Sequence, residues 1–326
     1  MKKLFMYPSK NLVIAIPIVL VMGFLTGLWA DTAFLKDYIL VMTFLMIYPT
    51  MIGFRIREAF DLSYMRTVLL SLLVNFLLIP GFAYLAGRLL LQQSPDMFVG
   101  LVMISLFPTS AMTISWTMLN GGNVAAAIKI TSLSLLLGSF LAPWYLYIMV
   151  GRLVAVNVVQ TFITILLVVV LPMIAGAVTY RLLMGRFTPE QYSARIKPLF
   201  PAISVWFLMF LIFTSISMKA RSMMTNPGFL LHGALILAGF YAFNFLLSTL
   251  IARYTLPAGD GFALLYGTVM RNLSVALGIA VSAFGAETAL VVTLAFIIQV
   301  QGAAWYGKLA PRLGWLERAR QTASEV

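Results

Sequence analysis

Hydrophobic positions along this chain do not alternate with polar ones; they run on. Apolar segments follow one another at 11–30, 37–54, 66–90, 97–119, 123–150, 155–184, 197–218, 229–252, 260–283 and 286–308, and the polar residues gather in short connections between them. Each run is long enough to cross a hydrocarbon core of about 30 Å as a helix rising 1.5 Å per residue. A membrane barrel would instead give shorter segments of alternating character, so an all-α integral membrane protein with ten transmembrane helices is expected. No connection has room for a soluble domain, and residues 1–326 read as a single transport-sized membrane unit.

Composition strengthens that reading. Of the 326 residues, 62% are hydrophobic and 10% charged, with a mean hydropathy of +0.99, where soluble domains are about one quarter charged. The opening MKKLFMYPSK leads directly into an apolar stretch long enough to span, as a first membrane helix does and a cleavable signal does not. The absence of cysteine excludes disulfides, thiolate metal sites and thiol chemistry. No phosphate-binding loop, zinc spacing or catalytic triad occurs, so neither an enzyme nor an ATP-driven pump is expected, and no cofactor.

The net charge of +12 could suggest nucleic acid, but the basic residues sit at the ends of the apolar runs. With the N-terminus placed in the cytoplasm, fifteen Lys and Arg fall on the inner side and only Lys36, Arg88, Arg152, Lys219 and Arg221 on the outer side. That bias orients ten spans with both termini, including a tail at 309–326, on the cytoplasmic face of the plasma membrane. The expected partners are therefore a lipid bilayer and a small solute, not nucleic acid.

The two halves echo each other. VNFLLIPGF (74–82) in the third segment matches FNFLLSTLI (243–251) in the eighth, setting Asn75 against Asn244. TFLMIYPT (43–50) likewise matches WFLMFLIFT (206–214). Five helices per half is an odd number, so repeats at 11–150 and 155–308 would enter the membrane with opposite topology, as in many secondary transporters.

Two cations, Lys129 and Arg271, fall inside spans, while all ten acidic residues lie in loops, at helix ends or in the tail. Arg271 stands about eleven residues from either end of its span, roughly 16 Å at 1.5 Å per residue, which is beyond snorkelling reach. It must face a cavity, free carbonyls or a bound anion. Lys129 is nearer the cytoplasmic end; it either snorkels or, desolvated, becomes a candidate proton carrier. In the fourth segment Pro108 precedes Thr109, Ser110, Thr113, Ser115 and Thr117. A proline frees carbonyls there, and the hydroxyls can satisfy them, line a cavity, or bond back to their own helix. The ninth segment, with Gly261, Gly267 and TVMRN, is the counterpart. His232 reads as interfacial, and Glu287 as a helix-start acid.

The stretch FPTSAMTISWTMLNGGNVAAAIKITSLSLLLGSFLAP (107–143) resembles the bile acid/sodium symporter family, part of the bile acid–arsenite–riboflavin transporter superfamily. VNFLLIP (74–80) is similar to the family's Gln-Phe-x-x-Met-Pro, with Asn75 in place of the glutamine. The resemblance implies a panel of spans 1, 2, 6 and 7 (11–54 and 155–218) against a core (66–150 and 229–308), with broken helices 4 and 9 crossing at its centre.

Departures from the pattern are as informative. Sodium-coupled members resemble one another in a Glu-x-x-x-Gln-Asn stretch that holds two sodium ions. Aligned on Asn272, the glutamate falls on Gly267 and the glutamine on Arg271. The family's Ser-Asn pair falls on Thr113 and Ile114, and its serine and threonine on Ala127 and Thr131. The carboxylate is gone and a guanidinium has entered. The expected function is thus sodium-independent, alternating-access transport of a small anionic solute, an organic carboxylate or oxyanion. Arg271, Asn272, Thr268, Thr109, Ser110, Thr113, Thr131 and Asn75 would bind substrate, Lys129 would be available for proton coupling, and no metal would bind. The alternatives are an arsenite efflux permease, although that branch carries a cysteine in the fourth span, a sodium symporter with a relocated cation site, and a ligand-binding sensor on a transporter scaffold.

Overall fold

The computed structural model describes residues 2–53, 63–151, 158–225 and 227–316. Arg55, Arg57, Arg152, Arg318 and Arg320, used above to orient the chain, lie outside these residues, as does 317–326 of the expected tail. Among the described residues the regular structure is entirely helical. Eight helices among the described residues are long and apolar enough to cross a membrane: Ala33–Met51, Met65–Leu90, Val124–Val150, Val159–Met184, Pro189–Arg221, Gly228–Thr255, Ala258–Phe284 and Ala286–Ala310. Two further apolar helices, Ile14–Trp29 and Pro95–Leu106, are shorter, and these correspond to the first and fourth expected segments.

Burial separates the helices by role. The Ala258–Phe284 segment is 89% buried, against 33% for Gly228–Thr255. A helix apolar all round and enclosed on every side is the centre of a bundle, and this is the helix that carries Arg271. The first apolar helix, Leu12–Trp29, packs along Leu199–Thr225, where Gly27 is needed. A Cβ there would lie 2.0 Å from the Ser217 carbonyl oxygen. The short amphipathic helix Lys2–Lys10, not expected from the sequence, is held by the Trp206 indole, which donates to the Phe5 carbonyl at 2.9 Å.

Two carboxylates tie helix starts together at opposite ends of the central bundle. Asp260 accepts from Thr67 Oγ1 at 2.8 Å and from Asn123 Nδ2 at 2.7 Å, joining the starts of three helices. Asp96, at the start of Pro95–Leu106, accepts from Thr288 Oγ1 at 3.3 Å. Both acids sit in the first turn of a helix, where the macrodipole favours negative charge.

Candidate functional site at two helix breaks

The fourth segment breaks where its proline requires. Pro108 has no N–H to donate and biases Phe107 out of the helical region, so Pro95–Leu106 stops there. Thr109 then takes φ +62°, a left-handed conformation that a β-branched residue rarely adopts. Ser110 restarts the helix Ala111–Leu119 with a capping box: its Oγ accepts from Met112 N at 3.3 Å, and its own N–H donates to Thr113 Oγ1 at 3.2 Å. The carbonyls of Ile104 and Ser105, at the end of the first half, have lost their helical donors. The strain at Thr109 is testable. Thr109→Gly should melt within about 1 kcal/mol of the parent despite full burial, because glycine relieves a left-handed φ. A loss comparable to that of Thr113→Gly would show that Thr109 carries no strain.

The second break has neither proline nor glycine between Val269 and Leu273. Side chains hold it open instead. Gln299, from the helix Ala286–Arg312, accepts the Arg271 N–H on Oε1 at 2.8 Å and donates Nε2 to the Arg271 carbonyl at 3.2 Å. Its amide thus takes the place of helical partners. Tyr241 donates its hydroxyl to the same Oε1 at 2.9 Å. Asn272 caps the next half by accepting from Val275 N at 3.2 Å, and its own N–H donates to the Phe107 carbonyl at 2.7 Å. The two breaks are therefore hydrogen-bonded to each other.

At this junction lies the Arg271 guanidinium, 0% exposed. Nε donates to the Ile104 carbonyl at 3.1 Å, one terminal nitrogen to Asn75 Oδ1 at 2.6 Å and the Thr268 carbonyl at 3.0 Å, and the other to the Ser105 carbonyl. The oxygens freed at the first break are satisfied by the cation carried on the second. Asn75 is aimed by a π-turn, Val74–Leu78, an insertion that rotates one residue out of helical register. Its Nδ2 donates to the Gly267 carbonyl at 2.9 Å and to Ser71 Oγ at 3.3 Å. All four acceptors around the guanidinium are neutral. Among the described residues the one ion pair is Lys219–Glu287, so no carboxylate there is paired with Arg271.

Gly267 lies one turn before Arg271, at the position aligned with the family's glutamate. A Cβ there would meet Ile130 Cγ2 at 2.8 Å and Ser71 Oγ at 3.5 Å. The space a longer side chain would need is filled by Ile130. The oxygens that the first break, Thr268 and Asn75 present are gathered on the Arg271 guanidinium.

The remaining candidates divide by what their polar atoms do. Thr113 donates to the Tyr266 carbonyl at 3.2 Å and so links the two broken helices. Thr268 shares its hydroxyl with Ser248 at 2.6 Å. Thr131 bonds back to the Ala127 carbonyl at 2.7 Å, the self-satisfied arrangement common in membrane helices, and Thr109 Oγ1 lies 3.4 Å from the Thr131 carbonyl. Ser110, Thr131 and Asn272 are half-buried, whereas Arg271, Thr268, Thr113 and Asn75 are buried completely. Lys129 is also buried, and its ammonium donates to the Ser63 carbonyl at 2.5 Å, away from the crossing. Asn244, the counterpart of Asn75 in sequence, is buried with neither amide atom hydrogen-bonded. Sequence reasoning missed Gln299 and Tyr241. The visible signal was FIIQVQG, which sets two glutamines, Gln299 and Gln301, in an apolar run, a placement that in a membrane core marks interhelical bonding.

Comparison with known proteins agrees with this architecture. Residues 40–226 match the model of the Sodium Bile acid symporter family, a stretch that contains the first break and ends before the second. The chain is also similar to the uncharacterized protein YbaS of Bacillus subtilis (strain 168), 23% identical over 261 residues that cover 77% of this chain and 81% of that protein. The match spans more than half the chain, and the multi-pass bundle of apolar helices fits a protein that works within a bilayer. The protein belongs to the sodium bile acid symporter family and is a membrane transporter of small solutes, not an enzyme.

Proposed function

We propose that the protein carries a small anion, an organic carboxylate or an oxyanion, by alternating access and without sodium, with Arg271 as its resident positive charge. The observation that carries this reading is the guanidinium held by four neutral oxygens from both helix breaks and from Asn75. A dehydrated monovalent cation would take such a shell. A guanidinium there is covalently fixed and remains charged at neutral pH.

With four of its five N–H donors engaged, Arg271 acts on the anion through its field. Direct contacts fall to the half-buried Ser110, Thr131 and Asn272, backed by Thr109, Thr113, Thr268 and Asn75. At an effective dielectric near 20, a unit charge about 7 Å away contributes roughly 2 kcal/mol. Lys129, buried but off the crossing, is the group available for proton coupling. The wider architecture in this reading has ten spans in two inverted five-helix repeats, with both termini cytoplasmic in the plasma membrane. Helices 11–54 and 155–218 form the panel, and 66–150 and 229–308 form the core. The matched pair of breaks supports that arrangement, as do the carboxylate ties of Asp96 to Thr288 and of Asp260 to Asn123 at opposite ends.

The test is thermal stabilisation of the purified protein by a panel of small anions, in sodium and in choline. A binding ligand raises the apparent melting temperature by linkage. Equal stabilisation in the two salts is expected. Stabilisation in sodium alone would overturn the reading and restore a metal cation to the cycle.

A further inference from the structure

We infer that Lys219 and Glu287 form a latch that holds one end of the transport path closed, an inference that rests on the alternating-access reading above. Lys219 lies on Leu199–Thr225, a panel helix in that reading, and Glu287 begins the core helix Ala286–Arg312. Their Nζ and Oε1 atoms are 2.7 Å apart, and it is the one ion pair among the described residues. The side chains are 29% and 42% exposed, so the pair sits at a rim that water reaches. Asp96 lies beside Glu287 there and accepts from the neighbouring Thr288, so two carboxylates that start separate helices stand near a single ammonium, which pairs with Glu287. Charge at this rim is therefore delicately balanced: without Lys219 two carboxylates oppose each other.

What lies beneath the rim explains why a latch is needed. Ser215 is one helical turn before Lys219 on the same face; it is fully buried and its hydroxyl has no partner. Further in, Thr43 is buried and equally unpartnered against Gly278, in the second half of the broken ninth helix. A Cβ at Gly278 would stand 2.1 Å from Thr43 Cγ2, so only glycine permits this approach. A seam meant to stay shut would be apolar. Buried hydroxyls without partners destabilise the closed seam relative to a wetted one, since water would satisfy them. The closure then depends on the rim contact, and a half-exposed ion pair is readily exchanged for water. When the seam opens, Thr43 and Ser215 line the way to the crossing.

The chain has no cysteine, so Ser215→Cys gives a protein with one thiol, and a membrane-impermeant methanethiosulfonate applied to each side of the bilayer reports its exposure. Slow labelling is expected with the latch intact. Adding Lys219→Met should accelerate it about two- to fivefold, the population shift that one such pair supports. The exchange Lys219→Glu with Glu287→Lys should restore slow labelling, which a merely unfolded variant would not do. An unchanged rate in Lys219→Met, or fast labelling in the exchanged pair, overturns the latch. Labelling needs no solute, so the two readings fail separately. Absence of anion flux with latch-dependent labelling would sink the anion assignment alone, and flux with unaltered labelling would sink the latch alone.

Discussion

Arg271→Ala is expected to lower stability by about 3 kcal/mol or more, whereas Arg271→Lys should lose less and keep anion binding. The alanine removes four hydrogen bonds at once and strands the carbonyls of Ile104, Ser105 and Thr268 and the Asn75 amide oxygen at a fully buried position. Each buried acceptor left unsatisfied costs about 1–3 kcal/mol. Part of that is offset because a buried charge disappears with its own desolvation penalty. Lysine retains the charge with three donors on a point-like head, and it cannot reproduce the planar fork that spans both helix breaks. Melting and anion binding measured on the two variants separate the roles. If Arg271→Lys binds anions no better than a folded, neutral Arg271→Met, the charge is not what the anion senses. If Arg271→Ala melts like the parent, the guanidinium is not the brace between the breaks.

The second large effect is expected at Asn75. Its Oδ1 is 2.6 Å from the guanidinium, and replacing the amide by a carboxylate changes one atom of the side chain's shape. Asn75→Asp would give Arg271 an internal counter-anion, so a solute anion would meet a neutral pair in place of a cation. At about 7 Å and an effective dielectric near 20 the resident charge contributes roughly 2 kcal/mol to the anion, so neutralising it should lower affinity more than tenfold. The fold should survive, because the new ion pair offsets loss of the Nδ2 bond to the Gly267 carbonyl. Anion titration by calorimetry or thermal shift decides the matter: affinity within twofold of the parent would mean that the resident charge plays no part in binding. Asn75→Leu is the control, since it loses the Nδ2 bonds and the Oδ1 acceptor without adding charge.

The broad organisation was legible because it depends on local composition. The segment 123–150 became Val124–Val150, and 66–90 became the helix Met65–Leu90. An apolar stretch of that length in a bilayer has one way to satisfy its backbone. The first break was legible too, since proline acts on its own residue and its immediate neighbours. The second was only half visible. Arg271 announced itself as a charge too deep to escape, but nothing between Val269 and Leu273 is a helix breaker by propensity. The break is enforced from 28 residues away by Gln299, and from the other half of the chain by the carbonyl of Phe107. Lys129 has the same ambiguity in the opposite sense: its depth in the span allowed snorkelling, and packing placed its ammonium on the Ser63 carbonyl.

By itself, then, the amino-acid sequence determined a helical membrane protein, the positions of its long apolar helices, its likeness to a transporter family, and the two cations in its interior. Hydrophobic run length, proline geometry and the energy of a charge in hydrocarbon act over a few residues and need no partner. Only the tertiary structure decided what Arg271 holds. A guanidinium's partners are chosen by geometry among all oxygens within reach, and here three of them are backbone carbonyls that every residue possesses. No side-chain pattern could mark those carbonyls in advance; they became available when one helix broke beside the arginine of another.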